Sequence, residues 1–122
     1  MYQIDVRKFM DACDQPSDQG WGEQAALYMD LITEEYKETL DAYNKGDLVE
    51  VADGLADMVW VIMGLANTLS IPFDDVWREV KNSNMSKCVD GKVIKNEAGK
   101  VMKPDTYFPP NIAKIIGVQN EV

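Results

Sequence analysis

A chain of 122 residues, 46% hydrophobic and 27% charged, has the size of a single domain, expected to span 1–122, and is too apolar for disorder. Its net charge of −9, from 21 acidic and 12 basic residues, lacks the basic footprint that nucleic acid or an anionic membrane requires. The same balance suits a site that collects divalent cations. Cys13 and Cys88 have neither metal-ligand spacing nor the framework of a disulfide-stapled domain. The opening Met1-Tyr2-Gln3-Ile4-Asp5 is mixed in character, unlike a basic-then-apolar leader, and the apolar run Met58 to Leu69 is shorter than the ~20 residues of a membrane span. A cytoplasmic chain with reduced thiols is the expectation.

Residues 4 to 13 place Ile4, Val6, Phe9, Met10 and Cys13 on one stripe of a first amphipathic helix. Gln15 to Gly20 is a loop by its Pro, Ser and Gly content. A second helix is expected to start near Trp21 to Glu23 and to continue to Tyr43. Asn44-Lys45-Gly46 stops it, and Asp47 caps a third helix from about Leu48 to Leu69. So short a connection makes the two helices antiparallel neighbours. The second half of the third helix, Met58-Val59-Trp60-Val61-Ile62-Met63, is apolar nearly all round and demands cover on every side. A partner subunit is therefore expected, with Trp60 and Trp77 in the core.

Ser70-Ile71-Pro72 interrupts the pattern, and Phe73 to about Met85 restarts it as a fourth helix. Beyond it, Asp90-Gly91 and Ala98-Gly99 turns punctuate irregular chain with room for a small hairpin, and Ile112 to Ile116 forms a short closing helix. The fold class is all-α: a four-helix bundle-like core with an irregular C-terminal tail, oligomeric.

Acidic residues recur at helical spacing on the two central helices. Glu34, Glu35 and Glu38 fall within an arc of about 100°, and Glu50, Asp53 and Asp57 within roughly 60°. Isolated acids on amphipathic helices are ordinarily solvated. Asp57, however, directly precedes the most apolar stretch of the chain, and a buried carboxylate without a partner is costly. Lys37 and Lys45 cannot neutralise six acids. Clustered carboxylates in a chain with no histidine select a hard cation with oxygen ligands, Mg²⁺ or Mn²⁺, and such ions commonly bridge to substrate phosphates. Phosphoanhydride hydrolysis follows as the candidate chemistry.

Glu34-Glu35-Tyr36-Lys37-Glu38 matches an EExxE motif, and the acidic helix ending at Asp57 resembles the second motif, of the MazG-like and phosphoribosyl-ATP-pyrophosphohydrolase-like all-α nucleotide pyrophosphohydrolases. Asn84-Met85-Ser86-Lys87, Asp90-Gly91-Lys92, Gly99-Lys100 and Lys103-Pro104 ahead of Tyr107-Phe108-Pro109-Pro110 are similar to the tail of one branch of that superfamily. The resemblance runs from about Val6 to Ile112. It implies a Mg²⁺-dependent helical dimer or tetramer that cleaves a nucleoside triphosphate, NTP or dNTP, to monophosphate and pyrophosphate, with water activated at the metal.

Carried onto this sequence, the resemblance makes Glu35, Glu38 and Asp57 ligands, Asp53 the next, and Glu34 the base or a residue behind the ligands. The family's second motif is usually ExxD, and Gly54 stands where its Glu is expected; Asp53, or the displaced Glu50-Val51-Ala52-Asp53, takes over. Asn84 and Lys87, with Lys100 and Lys103, are the candidate phosphate contacts, against the bland reading of surface lysines. Trp21 and Tyr107 are candidates for stacking on the base, against the commoner fate of core packing. The alternative from another class is a non-catalytic nucleotide-binding or helical interaction module on the same fold.

Overall fold

The computed structural model describes residues 1–117. They are 62% helical, with five helices and one two-stranded sheet. Two compact units divide the chain, Met1–Phe73 and the remainder from Asp74 onward.

The first unit contains α1 (Tyr2–Ala12), α2 (Glu23–Lys45) and α3 (Leu48–Thr68). The α2–α3 connection follows from local chemistry. Gly46 adopts the left-handed conformation, φ 68°, that ends α2, and the Asp47 carboxylate accepts the Glu50 N–H at 3.1 Å to start α3. With so little chain between them, α2 and α3 pack antiparallel along most of their length, while α1 lies against α3.

The core of this unit is Val6, Met10, Tyr28, Val61 and Met63, with Leu31, Ile32, Ile62, Leu65 and Phe73 packed against it. The stripe expected on α1 is only partly used: Val6 and Met10 are buried, whereas Ile4, Phe9 and Cys13 are exposed. Buried polar groups tie the ends together. Asn67, 0% exposed, donates through Nδ2 to the Gln3 carbonyl at 3.1 Å. Gln3 in turn donates to the Ile71 carbonyl and accepts the Phe73 N–H. The loop after α1 is pinned to the end of α3 by Asp18 N–H to Asn67 O and Gly20 N–H to Thr68 O, both 2.9 Å.

The second unit is carried by α4 (Phe73–Met85), followed by strands β1 (Cys88–Val89) and β2 (Lys92–Val93) and the short α5 (Ile112–Ile116). The strands pair antiparallel, with Cys88 opposite Val93. Asp90 and Gly91 both take positive φ, 51° and 78°, the geometry of a two-residue hairpin turn that matches strand twist. The chain then returns along α4: Ser83 Oγ donates to the Phe108 carbonyl, the Phe108 N–H donates to Ser86 Oγ, and the Asn111 N–H donates to Glu79.

Two tryptophans depart from expectation. Trp77 is 63% exposed and Trp60 39% exposed, with Phe9 edge-on to Trp60 at 5.5 Å between ring centroids. The apolar pattern marked residues that need cover, and the chain's own three-helix unit is too thin to supply it for Trp60. No described helix is long and apolar enough to cross a membrane.

Candidate functional site

The register of α2 on α3 places the acidic residues. Gly54 faces Thr39 and Gly64 faces Tyr28, so on antiparallel helices Glu35 falls opposite Asp57, between those two contacts. Glu35 occupies a position of α2 that points at its neighbour, in line with buried Tyr28, Thr39 and Ala42, and so lies partly buried. Asp57 is partly buried likewise. Glu34, Glu38, Asp53 and Glu50 are exposed at the rim.

Burial, first, pushes the Glu35 carboxyl above its ordinary value of 4.5, and the charges of Glu38, Asp57 and Glu34 push it further; a hydrogen bond with the Glu38 carboxyl acts the same way. Asp57 is raised by burial, then by the charge of Asp53 and a hydrogen bond with it. Every influence on the pair is desolvation or another acid. One oxygen of Glu35, Oε2, is buried with no hydrogen-bond partner. Such a group costs on the order of 1–3 kcal/mol when left unsatisfied.

Glu34, Glu35, Glu38 and Asp57 thus form one interacting group, with Asp53 joined through Asp57. Glu50 stands apart, lining with Glu38, Asp41, Lys45 and Asp47 a shallow cavity of about 240 Å³ at the α2–α3 turn. As the side chains stand, no three acidic, cysteine or histidine groups among the described residues converge closely enough to ligate one ion. The chemistry of the donors nonetheless fits a hard divalent cation: all are carboxylates, and the Glu35 oxygen lacks a partner.

The structure also explains the missing acid at position 54. A side chain at Gly54 would begin 3.0 Å from the Thr39 Cβ and 3.3 Å from its Cα, and closer still to Thr39 Oγ1. Position 54 lies in the helix interface, where no carboxylate fits. Asp53, one residue earlier, is rotated about 100° out of that interface toward solvent.

Among the residues expected to bind substrate, four meet in the second unit. The Lys87 ammonium donates to Asn84 Oδ1 at 3.2 Å, and the Lys87 and Lys103 ammoniums lie 5.8 and 5.0 Å from the centroid of the Tyr107 ring. Lys100 sits instead in a turn built on Asn96, its N–H bonded to Asn96 Oδ1. Trp21, in the first unit, is 89% exposed and edges an apolar cavity of about 330 Å³ with Met29, Leu65 and Leu69.

Sequence reasoning overlooked Thr39, Gly54 and Gly64 as packing partners and Asn67 as the buried anchor. The signal for the first three was present: small residues on α3 that, in an antiparallel register set by a two-residue turn, face Thr39 and Tyr28. Asn67 carried none, being a polar residue inside an apolar run.

No curated protein matches the chain. The family model for phosphoribosyl-ATP pyrophosphohydrolase matches residues 6–84, more than half of the sequence, taking in α2 and α3 entire and all but the ends of α1 and α4. The acidic pair between α2 and α3 lies within that match, and the chain belongs to the phosphoribosyl-ATP pyrophosphohydrolase family, within the MazG-like all-α nucleotide pyrophosphohydrolases.

Proposed function

We propose that the protein is a divalent-cation-dependent nucleotide pyrophosphohydrolase that cleaves an NTP or dNTP to the monophosphate and pyrophosphate. The observation that carries this reading is the partly buried Glu35 carboxyl, one oxygen unpartnered, surrounded by Glu34, Glu38 and Asp57 with no cation among its influences. Membership of the family supports pyrophosphohydrolysis of a nucleotide in general.

Glu35, Glu38, Asp53 and Asp57 are the residues that would hold Mg²⁺ or Mn²⁺. The ion, when bound, supplies charge neutralisation at the phosphoryl oxygens and a more acidic water. Glu35 and Asp57 hold protons more tightly than ordinary carboxyls, so cation uptake is coupled to proton release from this pair. Glu34, exposed at the rim of the group, accepts the proton of the attacking water. That water adds to the α-phosphorus, and pyrophosphate leaves with the electrons of the broken bond. The Asn84, Lys87, Lys103 and Tyr107 cluster offers an amide, two ammoniums and an aromatic face for phosphate and base.

The apolar surface supports an oligomer. A cavity of about 410 Å³ between α1 and α3 is lined by Tyr2, Leu55, Val59, Trp60 and Met63, and a second copy covering it makes the protein a dimer or tetramer. Light scattering at micromolar concentration tests this; a monomer overturns it.

Pyrophosphate release from a panel of NTPs and dNTPs, with phosphoribosyl-ATP included, tests the activity. Monophosphate and pyrophosphate should form in equal amounts with Mg²⁺ and cease with chelator. No release from any nucleotide, dUTP and dCTP included, sinks the enzyme and leaves a non-catalytic binding module. Glu38→Ala separates these: turnover lost with the fold intact marks an enzyme.

A further inference from the structure

The carboxylate pair lies between two unlike contacts of α2 with α3. On one side, one turn from Glu35 and one turn from Asp57, Thr39 packs directly on Gly54. The Thr39 backbone itself comes close, its Cα 3.3 Å from where a Cβ on Gly54 would stand. Thr39 is 8% exposed, and its hydroxyl donates to the Glu35 carbonyl at 2.7 Å, which fixes its rotamer and ties it to the residue whose carboxyl matters. On the other side, Gly64 is met by the Tyr28 ring, whose Cε1, Cδ1 and Cζ lie within 2.7 Å of a Cβ built there. An aromatic ring separates the helices at that level, while a threonine on a glycine lets them nearly touch at the other.

We propose that Thr39 and Gly54 are positioning residues. Their contact sets how near α2 comes to α3 beside Glu35 and Asp57, and thereby the span across which these two carboxylates share a cation. The displacement of the acid from position 54 to Asp53 is the counterpart of this contact, because the position that sets the spacing cannot also carry a ligand. The inference rests on the cation-binding reading above.

The test is Mn²⁺ binding to the intact chain, read by electron paramagnetic resonance, for the parent, Gly54→Ala, Gly64→Ala and the double variant Thr39→Gly with Gly54→Ala. Both glycines are buried in the same helix pair, so Gly64→Ala reports what a methyl group costs away from the carboxylates. Gly54→Ala should weaken Mn²⁺ binding by about tenfold or more, the scale on which support of metal ligands acts. Gly64→Ala should stay within about twofold of the parent, judged against that same scale. The double variant, which moves the Cβ from one helix to the other, should recover most of the loss. Parent-like affinity in Gly54→Ala, or an equal loss in Gly64→Ala, overturns the proposal. Should Gly54→Ala fail to fold, Thr39→Gly decides, since it loosens the contact without adding an atom; undiminished affinity there overturns it too. A parent that binds no Mn²⁺ overturns the cation reading itself. The spacing claim is then judged by the metal-free crystal structure of Gly54→Ala, where an unchanged Glu35–Asp57 separation defeats it.

Discussion

The two units of the chain hold their shape by different means. In the first, Val6, Met10, Asn67 and Thr68 are at most 1% exposed, and three helices interlock around them. In the second, Ser83 is the one fully buried residue of α4, and side-chain hydrogen bonds to the returning backbone take the place of a core. The difference follows from what each unit carries. Carboxylates brought together repel, and the packing of α2 on α3 holds Glu35 near Asp57 at the cost of a raised proton affinity. Lys87 and Lys103 around Tyr107 need no such enforcement. Their charges face solvent and an aromatic ring, and a strap of modest bonds suffices.

The largest expected effect lies in the packed unit. Glu35→Gln should lower turnover by about 100-fold or more, because it removes the charge of the proposed ligand whose Oε2 is buried without a hydrogen-bond partner. The same change should raise the melting temperature of the metal-free protein, since an amide does not repel Glu38 and Asp57. Loss of activity together with a lower melting temperature would mean that Glu35 serves the fold and not the chemistry.

Glycine substitutions probe the contrast next. Gly64→Ala overpacks against the Tyr28 ring and should cost about 1–3 kcal/mol in denaturant unfolding, the usual range for an inserted methylene. Gly91→Ala meets open space, with nothing within 4 Å, so its cost is confined to the positive φ of the hairpin turn, roughly 1–2 kcal/mol. Moreover, it should loosen hydrogen exchange in the hairpin without changing that of α2 and α3. Faster exchange in α2 and α3 of Gly91→Ala would erase the distinction between the units.

The same contrast governs what was legible in the sequence. Helices α2, α3 and α4 announced themselves because apolar period, Gly46, Asp47 and Pro72 all agree on their limits, and the short turn fixed their antiparallel order. The acidic group was legible because helical spacing alone assigns Glu34, Glu35 and Glu38 to one face. Position 54 was not, since period cannot tell a residue facing the site from one facing the helix beside it. Trp60 and Trp77 misled for a related reason: hydrophobicity records a need for cover without saying that the chain provides it. In the second unit, Asn84, Lys87, Lys103 and Tyr107 come together where the Ser83 and Ser86 hydroxyls bond the backbone of Phe108, which no periodicity encodes.

The pH response separates the units further. Glu35 and Asp57 bind protons more tightly folded than unfolded, so the folded chain holds more protons between their ordinary values, 4.5 and 3.8, and their raised ones. Their contribution to stability is fully present below the ordinary values and is lost as pH rises through the raised ones. The metal-free protein should therefore melt lower at about pH 8 than near pH 5. Glu35→Gln should flatten that difference. Saturating Mn²⁺ should flatten it as well, by favouring the charged carboxylates. A slope identical in parent and Glu35→Gln would assign the pH response to the net charge of −9 and not to the pair.

The smallest effect belongs to the strap. Lys103→Ala removes the ammonium nearer to Tyr107, 5.0 Å from the ring centroid against 5.8 Å for Lys87. An exposed cation–π contact is worth about 0.5–1 kcal/mol, so KM for the nucleotide should rise a fewfold, with kcat, the melting temperature and Mn²⁺ affinity held. Lys103→Arg, which keeps the charge over the ring, should recover most of that loss. A fall in kcat without a change in KM would make Lys103 act on the reacting phosphate and not on nucleotide binding, and would overturn the proposed role of the Tyr107 cluster.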